Sequence, residues 1–134
     1  MEEKEVEFKQ VSEREIYVGK NRFYHGEDNI IYATIVGETD DKVAIGILEA
    51  NLKLLSMVEG KAKILVDLNK AGKTSPEARK IMKQLAEQEK IGKLALFGMH
   101  PVAKVLASFA MGITRKKDML FFKTKAEALL WFTE

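Results

Sequence analysis

Residues 61–86, KAKILVDLNKAGKTSPEARKIMKQLA, constrain the fold more than any other part of this chain. An apolar run of Ile64, Leu65 and Val66 ends in Asp67. A polar segment containing Gly72 follows, and Thr74, Ser75 and Pro76 then open a stretch of helical periodicity. A short apolar run bounded by turn residues and followed by a 3.6-residue period reads as a buried strand feeding a helix. That unit belongs to α/β folds, and the expected loop over residues 68–75 lies at the carboxyl end of its strand, where such folds bind ligands.

The flanking sequence supplies further elements. Residues 1–14 are charge-rich, with a brief alternation at Val6 and Phe8, and read as an arm ahead of a single domain over residues 15–134. Ile16, Tyr17 and Val18 precede a turn near Gly19, and a hairpin is expected across residues 20–36, turning at His25, Gly26, Glu27, Asp28 and Asn29. Thr39 is the expected cap of a first helix whose stripe of Ala44, Ile47, Leu48, Leu54, Leu55 and Val58 runs to Gly60. Asn51 interrupts that stripe, and such a residue is usually hydrogen-bonded locally. The second helix buries Ala78, Ile81, Met82, Leu85 and Ala86, with Arg79, Lys80, Lys83 and Glu87 facing away. A strand over residues 91–98 leads to a third helix from His100 and Pro101 to Gly112. A short strand over residues 118–122 precedes a last helix with a capping box at Thr124 and Glu127. In it Trp131 and Phe132 read as core anchors. The order β-β-α-β-α-β-α-β-α implies an α/β fold with a mixed sheet containing a parallel part.

Composition excludes several classes of function. Cysteine is absent, so disulfides, thiolate metal sites and a cysteine nucleophile are ruled out. The net charge of +2 is too balanced to argue for nucleic acid. The acidic start MEEKEVEFK lacks the apolar core of a secretory signal, and residues 102–113 are too few to span a bilayer, so a cytoplasmic protein is expected. His25 and His100 have no carboxylates at metal-ligand spacing, and neither metal nor cofactor is expected. Residues 71–74, Ala-Gly-Lys-Thr, suggest a phosphate-binding loop, but Asp67 stands where that motif needs its first glycine. With no acid–base pair or nucleophile arrangement legible, an enzyme is not expected.

The segments NIIYATIVGETDDK (29–42), KILVDLNKAGKTSPEARK (63–80), IGKLALFGMHPVAKVLASF (91–109) and LFFKTKAEALLWF (120–132) carry a likeness. Through them, and through the element order, the chain resembles the STAS domain superfamily, in its SpoIIAA-like (STAS/SEC14-like) branch. The resemblance implies a small non-enzymatic regulatory module that binds a protein partner, or an apolar or nucleotide ligand. It also implies a phosphorylatable serine or threonine at the start of the helix after the third strand. Thr74 and Ser75 occupy that place, but the family's Asp-Ser-Ser-Gly-Leu pattern is replaced here by Lys73, Thr74, Ser75, Pro76 and Glu77. Against the switch stands ordinary helix capping by Thr74 or Ser75.

Two candidate sites follow. The first is the expected loop, with Asp67, Asn69, Lys70, Lys73, Thr74 and Ser75, and with His100 beside it. Helix starts and lysines at that end of the sheet, Lys123 and Lys125 included, suit a phosphate or carboxylate. Asp67 alone reads more simply as an acceptor that organises the loop. The second site is the third helix, where Lys104 and Ser108 are the only polar residues between Val102 and Met111. Val102, Val105, Leu106 and Phe109 there would form the wall of an apolar ligand pocket or a homodimer surface, or would simply pack densely in the core. Arg115, Lys116 and Lys117 read as a solvated turn at the opposite edge.

Overall fold

A computed structural model describes residues 6–113 and 118–134, apart from the side chains of Phe109, Ala110 and Ile113. Arg115, Lys116 and Lys117 therefore lie outside the described residues. In chain order the elements are β1 (Phe8–Ser12), β2 (Glu15–Val18), β3 (Asn21–His25), β4 (Ile30–Thr39), α1 (Asp41–Leu55), β5 (Ala62–Thr74), α2 (Pro76–Ala86), β6 (Ile91–Phe97), α3 (Pro101–Ile113), β7 (Met119–Phe122) and α4 (Lys125–Phe132). From β3 onward this is the expected order. Upstream, β1 forms within the charge-rich stretch, where Phe8 pairs with Val18.

The seven strands make one sheet in sequence order. Pairings from β1 to β4 are antiparallel and those from β4 to β7 parallel. Two glycine-type turns set the antiparallel half. Gly19 reverses β2 into β3 at φ 59°, and Asn29 adopts φ 66° before β4. Alternation along the strands then separates two cores. Ile16, Val18, Phe23, Ile31 and Ala33 face α1, while Ile30, Leu65, Ala95 and Phe97 face Ala128 and Phe132 of α4. Helices α1, α2 and α3 thus share one face of the sheet, and α4 covers part of the other.

Three expected boundaries move, each for a local reason. Thr39 does not cap α1. It stays in β4, buried and paired with Thr74, and Asp40 caps instead by accepting from the Val43 N–H. The helix ends at Leu55 rather than Gly60, because Ser56 satisfies its last turn, and Gly60 turns the chain at φ 68° toward β5. The third change is the largest. Residues 68–74 are not a loop; they continue β5, since β4 runs on far enough to pair with them. Asn69 and Gly72 fall where the register shifts, and an isolated glycine within a strand marks such a bulge or a close backbone approach. At Gly72 an added Cβ would lie 3.1 Å from backbone atoms of Gly37 and Glu38.

Candidate functional site

With β5 extended, the residues of the first candidate site divide into two groups. Asp67 Oδ1 accepts from both the backbone N–H and the side-chain amide of Asn69, each at 2.9 Å. Asn69 Oδ1 in turn accepts from the Met99 N–H at 2.9 Å, tying β5 to the segment before α3. His100 is exposed and caps α3, its Nδ1 accepting from the Val102 N–H at 3.2 Å. The second group lies at the far end of β5. Ser75 Oγ accepts from the Ala78 N–H at 3.1 Å and donates to Asp41 Oδ1 at 2.6 Å, so it joins the starts of α1 and α2. Thr74 is half-buried beside it, and Lys70 and Lys73 are exposed along the strand between. Thr34 and Thr39 of β4 pair with Asp67 and Thr74. Five strand residues span about 17 Å, so the two groups do not form one site.

The second candidate region leads to a cavity. Helix α2 packs on α1 and α3, but its backbone stands away from the sheet, unlike those of α1 and α3. Only Ala78 and Ala86 of α2 are fully buried. Ile35 and Val66, which point toward the helices, stay half-buried because α2 does not close over them. The gap is a cavity of about 150 Å³ with almost wholly apolar walls, including Leu68, Met82, Leu85 and Leu96. Helix α3 contributes Leu106 to the wall, while its Ala103 and Ala107 are buried against the sheet. Val102 is half-buried, Val105 is 54% exposed, and the side chain of Phe109 lies outside the described residues.

The polar lining was only partly legible. Arg79 and Lys83 do not face away from the core: both are half-buried and line the cavity, as do Thr39 and Thr74. Asn51 lines it too, at 2% exposure, with Nδ2 donating to the Ile47 carbonyl at 2.8 Å. Its interruption of the apolar stripe was the one sequence signal that could have found this wall.

On the opposite face, beside α4, lies an open groove of about 610 Å³. Its polar groups already serve one another. Arg22 pairs with Glu15 and lies over the Tyr24 ring, Lys125 sits 5.2 Å from the Tyr32 ring centre, and Tyr32 donates to Asp28. Burial first, then the Asp28 hydrogen bond and charge, pushes the Tyr32 pKa from 10.0 up to about 12. Asp67 edges this groove but is engaged with Asn69.

His25 is buried at the β3–β4 turn, far in sequence and fold from His100. Among the described residues, no three His, Asp or Glu side chains are grouped to hold a metal. No helix among them is long and apolar enough to cross a membrane.

Sheet order and helix placement define the SpoIIAA-like α/β fold. The chain is similar to the crystal structure of an uncharacterized protein of the DUF3478 family with that fold, from Shewanella loihica PV-4. The TM-score is 0.62 at 16% identity, over 83% of this chain and 90% of that one, a likeness of fold alone. By sequence the chain belongs to the family described as Domain of unknown function (DUF7793), which matches residues 24–134. No curated protein gives a significant match.

Proposed function

We propose that this domain is a non-catalytic, STAS-like binding module whose ligand is a small, largely apolar molecule held between α2 and the sheet. The observation that carries this reading is the 150 Å³ cavity beneath α2. Its apolar walls are in part open to solvent, and a ligand that covered them would gain about 25 cal/mol for each Å² of apolar surface removed from water. An apolar cavity of comparable size accommodates a benzene ring. Its lining offers Arg79, Lys83, Thr39, Thr74 and Asn51 but no carboxylate or imidazole, which favours binding over acid–base chemistry.

Two other readings draw less support. An anion site built from Asp67, Lys70, Lys73, Ser75 and His100 would need groups that lie apart along β5. A phosphate on Ser75 would meet Asp41, which already accepts from that hydroxyl, and Glu77 in the first turn of α2.

Native mass spectrometry on gently purified protein, paired with the denatured mass, tests the proposal. We expect additional mass that denaturation removes, and its loss in Val66→Phe, which fills the cavity from β5. A retained adduct in Val66→Phe, or a bare chain that also fails to take up added toluene, would overturn the reading.

A further inference from the structure

We infer that the ligand is an organic acid, with a compact apolar body in the cavity and a carboxylate held by Lys83 and Arg79 at its opening; this rests on the cavity reading above. Among the described residues that line the cavity these two alone carry a charge, and both are positive. They are four residues apart in α2, which puts them one turn apart on the same flank of its apolar stripe, with about 5–6 Å between their Cβ atoms. Both are half-buried. A half-buried lysine or arginine in such a wall lays its stem along apolar surface and turns its charge toward water, so the two cations stand where the cavity meets solvent. The acidic residues at the ends of α2, Glu77 and Glu87, are exposed and form no part of the lining, and Glu77 pairs with Lys80 at 3.2 Å.

Like charges one turn apart disfavour the helix that carries them. A neutral guest would cover the apolar walls and leave that repulsion in place, whereas an anion between the two cations turns it into attraction. A single carboxylate is narrow enough to be bracketed at this spacing, and its hydrogen bonds from cationic N–H groups are stronger than neutral ones. Beside apolar walls the effective dielectric is lower than in bulk water, which strengthens the attraction further. A phosphate dianion suits the place less well, because its second charge is costly to take out of water there. The cavity also sets the size of the apolar body. About 150 Å³ accommodates one benzene ring, so the body is a single ring or a short branched chain. An arylacetic acid has both parts, with the ring for the walls and the carboxylate for the opening.

Phenylacetate and phenylacetamide are near-isosteres that differ in charge, and titrating each, with toluene as the uncharged hydrocarbon, by methyl-detected NMR tests the inference. The wild type is expected to bind phenylacetate at least about fivefold more tightly than phenylacetamide, with shifts at Met82 and Leu85. Lys83→Met keeps the stem and removes the charge. It is expected to weaken phenylacetate about five- to tenfold while toluene stays within about threefold, and Lys83→Arg is expected to retain most of the phenylacetate affinity. The wild-type comparison decides even where Lys83→Met disturbs the fold. Phenylacetate binding no tighter than phenylacetamide, or phenylacetate shifts that spare Met82 and Leu85, would overturn the acid assignment and leave the cavity reading to toluene. Binding of none of the three probes to the wild type would overturn both.

Discussion

Tyr32 shows how a single residue on the open face is committed to the fold. Its ring packs against the α4 core, its hydroxyl donates to Asp28, and Lys125 lies over the ring. The folded state therefore holds the phenol proton more tightly than the unfolded chain, with the pKa raised to about 12 from 10.0. The sign follows from linkage: this contribution is complete below pH 10 and is lost as the pH rises from 10 through 12. Tyr32→Phe should thus remove a tyrosine transition near pH 12 from an alkaline absorbance titration. The stability gap between wild type and variant, measured by urea unfolding, should narrow across the same interval. A gap that widened there would contradict the assignment. At this scale the sequence was informative about Asp67, whose side chain organises the following backbone as its residue type suggests. It was uninformative about Arg79 and Lys83. Helical spacing marks an apolar stripe, and the long stems of residues at its edge can line a gap while their charges reach water.

Among the elements, the paired starts of α1 and α2 govern the helical face. Ser75 caps α2 and holds Asp41 of α1, and its N–H donates to the Thr39 carbonyl at 3.0 Å. Ser75→Ala removes the cap and the interhelix bond together, and should cost about 1–2 kcal/mol, read as a lower urea midpoint with an unchanged slope. Thr74→Ala leaves that cap in place and should cost less; the reverse ranking would contradict the assignment of the cap. At the other end of the molecule α4 is tied down through its C-terminus. Lys63 donates to the Phe132 carbonyl at 2.7 Å, and Lys93 donates to those of Trp131 and Glu134 at 3.0 and 2.8 Å. Cations at a helix C-terminus complement its dipole. The fold was legible from β3 onward because each strand–helix pair carries its own change of period, from the Ile30 and Ile31 run to the capping box of α4. The extension of β5 was not legible. Asn69, Gly72 and two lysines have turn composition, and only the pairing with the end of β4 makes them a strand.

For the whole molecule, the decisive feature is what α2 leaves open. Its stripe of Ala78, Met82, Leu85 and Ala86 satisfies a helical pattern whether the helix touches the sheet or stands off it, so periodicity could not reveal the cavity. The third helix was correspondingly ambiguous. In the fold Ala103 and Ala107 pack closely, Leu106 walls the cavity and Val105 is exposed. The most direct test of the central claim is a toluene titration followed by carbon-13 methyl shifts in the wild type and in Val66→Phe. We predict saturable shifts at Leu68, Met82, Leu85 and Leu106 in the wild type, none at the exposed Leu130, and their loss in the filled variant. Equal shifts at Leu130, or shifts that persist with Val66→Phe, would contradict a ligand cavity beneath α2.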